Sequence, residues 1–132
     1  MNDQQLTAYG AFVLRITLGV MFLAHAAQKI FVFTVPGTVG FFASLGLPAI
    51  VAYFTIAAET LGGVALLLGF RTRIVASVLV LVLAGATWAH LGNGWSFTSP
   101  KGGWEYPLFL TLSALAQALL GAGHFAFGRS PR

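Results

Sequence analysis

The first hydrophobic stretch of this chain carries ionisable side chains at helical spacing. It runs from Tyr9 to Lys29, is long enough to cross a bilayer, and contains Arg15 and His25. At about 100° per residue, Arg15 and Lys29 fall within roughly 40° of each other on a helix, and His25 lies on the flank of the same stripe. Because a charge at membrane depth is costly unless it is paired, this polar edge must face protein or trapped water.

Glu59 is the only carboxylate within the hydrophobic stretches, which makes it the expected partner of Arg15. From a rise of about 1.5 Å per residue, Arg15 lies roughly 10 Å from the start of the first stretch and Glu59 roughly 15 Å from the end of the second. We therefore expect a buried Arg15–Glu59 ion pair that joins these two helices. Both residues are candidates for catalysis, as a proton relay or the polar wall of a ligand cavity, and the alternative is a purely structural pair.

A second polar group forms at the other end of the same stretch. His25 and His90 lie at similar depth, and Lys29, Glu105 and Trp104 flank that level. These five residues are the candidates for ligand binding: two histidines at equal depth could ligate a haem, hydrogen-bond a quinone carbonyl or pass protons. The alternative is that each histidine bonds to a loop carbonyl. We expect no haem and no metal, and a quinone stays open.

The composition indicates an integral membrane protein. The 132 residues are 58% hydrophobic and only 8% charged, whereas an ordinary soluble domain is about 25% charged. The formal net charge of +4 comes from basic residues near the ends of the hydrophobic stretches. Because there is no basic run, we expect the lipid bilayer and not nucleic acid as the partner of this chain. The chain has no cysteine, which excludes disulfides and thiol redox chemistry.

The hydrophobic pattern predicts an all-α, integral membrane four-helix bundle with short loops. We predict helices over about 8–30, 49–70, 74–91 and 106–127 within a single transmembrane domain, 1–132. An amphipathic linker rich in proline and glycine joins the first two helices, with a half-helix around Thr38 to Leu45. Close helix contacts are expected at the small-residue pairs Ala58/Gly62 and Gly85/Ala89.

Two motifs resemble the signature sequences of a known membrane family. The first helix reads Arg15-x3-Gly19-x2-Phe22-x2-His25-x3-Lys29, and the second reads Glu59-x2-Gly62-Gly63-x2-Leu66-Leu67-Leu68-Gly69-x-Arg71. Both resemble the DoxX family of small bacterial membrane proteins. The resemblance implies a four-helix inner-membrane protein, and it implies an association with quinone-coupled oxidoreductase complexes. The broader clan also includes membrane proteins similar to cargo receptors.

Two functions are consistent with the motifs and the resemblance. The first is a subunit or accessory of a quinone-linked membrane oxidoreductase system, which would also bind a partner protein of that system. In it, the polar groups between the helices handle protons or a quinone headgroup. The second is a non-enzymatic scaffold or receptor that recruits a partner protein through the aromatic loop over 92–105. A bound small molecule would favour the first function, and a tightly filled bundle with an exposed apolar loop would favour the second.

The distribution of basic residues predicts that both termini are cytoplasmic. With four spans the termini share one side, and that side carries Arg71, Arg73, Arg129 and Arg132. The opposite side has only Lys29 and Lys101 near the helix ends, as expected from the positive-inside rule.

Cysteine labelling tests this topology. Because the chain has no native cysteine, single cysteines introduced at Ser99 and Ser130 report on one position each. In intact cells an impermeant maleimide should label the first and leave the second unlabelled until the membrane is opened. Labelling of both positions from the same side would mean that the number of spans is wrong.

Overall fold

The computed structural model describes residues 1–127, and this part of the chain is helical. The α-helices are α1 (Asp3–Ala27), α2 (Val35–Ser44), α3 (Ala49–Leu68), α4 (Thr72–His90) and α5 (Glu105–Leu120). A π-helical turn, Gln28–Val32, continues α1, and a 3-10 turn, Leu91–Asn93, continues α4. The predicted all-helical fold is confirmed. The fourth predicted helix is shorter than expected, since α5 ends at Leu120 and not near residue 127.

Three helical segments in the described residues are long and apolar enough to cross a membrane. They are Asp3–Val32, Ala49–Leu68 and Thr72–Asn93. The apolar helix α5 has 16 residues, which corresponds to about 24 Å, whereas the hydrocarbon core of a bilayer is about 30 Å thick. Helix α5 alone is therefore shorter than that layer.

The linker between the two long N-terminal helices folds as predicted into a short apolar helix. The chain reverses at Thr34, whose φ is 67° and whose hydroxyl accepts a hydrogen bond from the Gly37 amide at 3.1 Å. Pro36 follows in the first turn of α2, where its missing amide costs no helical bond. Large apolar side chains remain exposed on and before α2, including Phe31 and Phe41. This exposure is typical of a segment that lies in a membrane interface.

Two glycines allow α1 and α3 to pack closely. A Cβ at Gly19 would lie 3.1 Å from the Gly63 carbonyl oxygen, and a Cβ at Gly63 would lie 3.1 Å from that of Gly19. Gly62, on the neighbouring face of α3, is covered by Leu79 of α4. The prediction of a close contact at Gly62 therefore agrees with the structure. The prediction for Gly85 is wrong, because nothing in the described chain lies within 4 Å of where its Cβ would be.

The core of the bundle is made by leucines and one phenylalanine from all four long helices. Phe22 and Leu18 of α1 are buried against Leu66 of α3, with Leu79 of α4 and Leu110 of α5 completing the cluster. The strongest pairings are α1 with α3 and α4 with α5, so α1 and α5 touch more lightly along their shared edge. The lighter contact leaves room for a groove between those two helices.

The segment after α5 turns back across α1 with the help of glycines. Gly121 and Gly123 have φ values of 80° and 73°, which favour glycine. A Cβ at Gly123 would collide with the backbone of Ala8 and Phe12, so the segment lies directly on α1. The predicted positions Arg129, Ser130 and Arg132 lie outside the described residues.

The glycine contact between α1 and α3 leads to a stability prediction. Gly63→Val should lower the free energy of unfolding by about 1–3 kcal/mol, because the added methyl groups overpack the contact with Gly19 and Leu23. Gly85→Val is the matched control, since it places the same side chain on a helix where there is open space. Unfolding in mild detergent measures both variants, and equal losses would show that the α1–α3 contact is not tight.

Candidate functional site

Arg15 is completely buried and donates hydrogen bonds only to backbone carbonyls. Its side chain is 0% exposed. Nη1 donates to Leu66 O at 2.8 Å and Leu67 O at 3.1 Å, at the end of α3. The other donors reach the segment after α5, at Ala122 O (2.9 Å), His124 O (2.7 Å) and Phe125 O (3.2 Å). One guanidinium thus ties α1 to the C-terminal end of α3 and to the segment that follows α5.

The predicted Arg15–Glu59 ion pair is wrong. Arg15 lies level with Leu66 and Leu67, roughly 10 Å further along α3 than Glu59. The prediction aligned the expected ends of the two helices, but α1 begins at Asp3, five residues before the predicted start at 8. The last carbonyls of a helix carry partial negative charge and have no helical partner, so they satisfy a guanidinium without any carboxylate.

Gln117 performs a similar task, and sequence reasoning missed it. Its amide nitrogen donates to Ala11 O of α1 at 3.2 Å and to Gly121 O at 2.8 Å. The side chain is 0% exposed. A single amide side chain in an otherwise apolar helix could have predicted this contact, because polar groups in such segments usually form hydrogen bonds to neighbouring helices or backbone.

Glu59 pairs with two residues from the end of the first helix. Lys29 Nζ lies 2.8 Å from Glu59 Oε1, and His25 Nδ1 lies 3.9 Å from Glu59 Oε2. The carboxylate is 3% exposed, while the side chains of His25 and Lys29 are 25% and 22% exposed. We call these three residues the polar triad. The sequence placed His25 and Lys29 together, but it assigned Glu59 to the wrong cation.

The π-helical turn and α2 position Lys29. In this turn the Phe33 amide donates to Gln28 O at 2.9 Å, so the helix is widened by one residue just where Lys29 leaves it. The buried Thr38 of α2 donates its hydroxyl to Lys29 O at 3.0 Å and Thr34 O at 2.9 Å. Single π-turns within α-helices occur often at functional sites, because they re-aim a side chain.

A shallow groove lies beside His25. It has a volume of about 530 Å³ and is lined by Ala24, His25, Ala27, Gln28, Phe31 and Val32. We call it the His25 groove. The ring of Tyr106 on α5 stands edge-on to His25, with ring centres 6.2 Å apart, and its hydroxyl donates to Met21 Sδ at 3.8 Å. One side of the imidazole thus faces Glu59, and the ring also borders an open apolar groove.

The other predicted ligand-binding residues belong to a different part of the structure. His90 Nδ1 lies 2.7 Å from Ala86 O of its own helix. Glu105 Oε1 accepts from the Phe97 amide at 3.3 Å, and Trp104 packs edge-on against Trp95 with ring centres 4.5 Å apart. These contacts shape the loop before α5. His90, Glu105 and Trp104 are therefore not part of the polar triad.

His124 lies beyond the end of α5, as expected for a residue near that helix end. Its amide donates to Ala8 O at 3.2 Å, and its ring lies over Tyr9 with centres 4.3 Å apart. Within residues 1–127, no group of three or more histidine, cysteine, aspartate or glutamate side chains is placed to hold a metal ion.

A bundle of long apolar helices with buried polar side chains at their contacts defines a helical membrane protein. The chain belongs to the DoxX family, whose model matches residues 10–92. That range contains Arg15 and the whole polar triad, and it ends before α5.

One relative in Bacillus subtilis (strain 168) carries the name "Putative oxidoreductase CatD". It is 40% identical over 77 residues, which make up 58% of this chain and 56% of the relative. The match thus spans little more than half the length of that relative. No solved structure matches the chain.

A double-mutant cycle separates Arg15 from Glu59. Arg15→Met should lower the free energy of unfolding by about 3 kcal/mol or more, since each buried carbonyl left unsatisfied costs about 1–3 kcal/mol. Glu59→Gln should cost less, because Lys29 is partly exposed and can reach solvent. The coupling between the two substitutions should stay below about 0.5 kcal/mol, as for residues without shared partners.

Reversible unfolding in detergent gives the three free energies. If Arg15→Met does not fold, Arg15→Lys replaces it, because lysine keeps the charge but presents only three donors from one point. A coupling energy well above that bound would restore a direct Arg15–Glu59 interaction.

Proposed function

We propose that this chain is a membrane component of a quinone-linked oxidoreductase system in a bacterial inner membrane. The family and the oxidoreductase name of the B. subtilis relative support an association with redox chemistry. The observation that carries the proposal is the polar triad, in which a buried carboxylate links Lys29 and His25 next to an open groove. The role in question is to bind a quinone headgroup and to move its protons.

The triad suits a quinone because a quinone ring needs hydrogen-bond donors and its reduction needs protons. Conversion of a quinone to a quinol takes two electrons and two protons, and the carbonyl oxygens accept hydrogen bonds at each stage. His25 is the donor to a carbonyl in the His25 groove, since histidine exchanges protons near neutral pH. In this scheme the Glu59–Lys29 pair supplies a proton to His25 after His25 has donated its own. The electrons come from the partner oxidoreductase in this scheme.

In the proposed arrangement the chain crosses the membrane four times, with both termini in the cytoplasm. The fourth pass combines α5 with the segment that turns back over α1. Non-helical backbone is tolerated at membrane depth only where its polar groups are satisfied by protein, and Arg15 and Gln117 satisfy them here.

Partner recruitment is the second candidate function. Trp95 and Phe97 in the loop before α5 are 57% and 72% exposed, and Trp88 of α4 is exposed beside them. Exposed aromatic side chains at one end of the bundle suit either an interface belt or the surface of a partner protein. A subunit of a redox complex needs such a surface, so the two candidate functions are compatible.

Co-purifying quinone tests the headgroup site. The full chain, expressed in bacterial membranes and purified in detergent, should retain quinone that solvent extraction and mass spectrometry quantify per mole of protein. His25→Gln should lower this amount by about tenfold, because the flexible glutamine amide does not hold a donor where the imidazole does and a lost hydrogen bond of ~1–1.5 kcal/mol corresponds to that factor. His90→Gln is the matched control, since His90 is bonded within its own helix.

Two results would contradict the proposal. One is a quinone content no higher than that of an unrelated helical membrane protein purified in the same way. The other is an equal loss from the His25 and His90 variants, which would mean that quinone associates with the bundle without using the triad. If either result accompanies specific capture of one redox partner through Trp95 and Phe97, recruitment is the better assignment.

A further inference from the structure

A second groove runs between α1 and α5, on the N-terminal side of the polar triad along α1. It has a volume of about 440 Å³. Its lining comes from both helices and includes Gly10, Leu14, Thr17, Met21, Phe109 and Ser113. We call it the α1–α5 groove. These two helices touch more lightly than α1 and α3 do.

The α1–α5 groove is apolar even where its lining residues carry hydroxyl groups. Thr17 donates its hydroxyl to Val13 O at 2.8 Å, and Ser113 donates to Phe109 O at 2.8 Å. Both donors are therefore used within their own helices. A ligand in this groove would meet methyl, methylene and aromatic groups, which suits a hydrocarbon chain and not a polar headgroup.

The length of the groove limits what it can hold. From Gly10 to Met21 the helix rises roughly 17 Å, so the groove is long enough for an extended hydrocarbon chain to lie along α1.

The α1–α5 groove and the His25 groove follow one another along one face of α1. Positions 10, 14, 17 and 21 line the first, and positions 24 and 28 line the second. These positions are three or four residues apart and so keep to a single helix face, with His25 at its edge. Tyr106 stands at the junction, because it contacts Met21 of one groove through its hydroxyl and His25 of the other through its ring edge.

We propose that the α1–α5 groove holds the prenyl tail of the quinone whose ring occupies the His25 groove, with Tyr106 between ring and tail. This inference rests on the proposed function and narrows its substrate to long-tailed quinones. A single molecule with a polar ring and one hydrocarbon chain matches the sequence of surfaces along α1: carboxylate, imidazole, phenol, then an apolar channel. The tail enters from the lipid, so the site needs no opening towards water.

Photo-labelling locates the tail directly. The probe is a benzoquinone with a prenyl tail that carries a diazirine near its middle, added to the full chain in detergent and irradiated. Peptide mapping should place the label on residues 10–21 of α1 and 109–113 of α5. Label spread over the exposed face of α4 would overturn the proposal, because that face is open to any apolar molecule.

A substitution that fills the groove can be compared with the same substitution elsewhere on the bundle. Gly10→Leu should reduce labelling by about tenfold, because a leucine there occupies part of the groove that the tail would fill, and nothing lies within 4 Å of the added Cβ to disturb the fold. Gly85→Leu adds the same side chain to an equally open helical position on α4 and should change nothing. Equal labelling in Gly10→Leu and in the unmodified chain would overturn the proposal.

Two further measurements separate this inference from the proposed function. If quinone retention depends on His25 but Gly10→Leu has no effect, the headgroup site stands and the tail site is wrong. If a diazirine phospholipid labels the α1–α5 groove and excess quinone does not displace it, the groove is a lipid site and the tail proposal is again wrong. If no quinone is retained and His25→Gln leaves the labelling unchanged, both proposals are wrong.

Discussion

The hydrogen bonds of Arg15 join the middle of α1 to the end of α3 and to the segment that follows α5. α3 stops at Leu68 and α5 at Leu120, and each leaves carbonyls without helical partners. Water satisfies such groups at the surface of a soluble protein, but a bilayer interior offers none. The five N–H groups of one guanidinium donate to two carbonyls at the end of α3 and to three in the segment after α5. Phe127 adds a bond from its amide to Leu68 O at 2.7 Å.

The position of Arg15 also sets the register between α1 and α3. Because Arg15 meets Leu66 and Leu67, the antiparallel helices bring Gly19 opposite Gly63 a turn later. One to two turns beyond that contact, the same register brings His25 to Glu59. The close approach that the glycines allow is what lets Lys29 reach a carboxylate in the middle of α3. The geometry of the polar triad thus depends on contacts in the middle of α1, about 15 Å away along the helix.

Much of this architecture could be predicted from the sequence, because hydropathy and helical periodicity dominate in a membrane protein. The four apolar stretches, the short helix in the linker and the polar stripe on α1 all follow from those two signals. The partner of Arg15 could not be found in the same way. Carbonyl acceptors belong to every residue, so they leave no mark in the sequence, and a search for partners among side chains offered only Glu59.

The other errors have a similar physical origin. The hydrophobic run after Leu120 suggested more helix, but Gly121 and Gly123 adopt positive φ and turn the chain onto α1. Small residues at Gly85 and Ala89 met the spacing of a packing motif, yet the pattern does not reveal which face of α4 is covered. The pairing of Lys29 with Glu59 depended on a widened turn, and a π-turn has no reliable sequence signal.

The polar stripe of α1 combines two roles that the chemistry of its side chains keeps apart. Arginine stays protonated in proteins, and Arg15 is sealed among carbonyls, so it holds the backbone and passes no proton. Histidine and glutamate change protonation within the ordinary pH range, and His25 borders an open groove while touching Glu59. Because Arg15 and His25 lie about 15 Å apart along one helix, a change of charge at the polar triad would leave the hydrogen bonds of Arg15 in place.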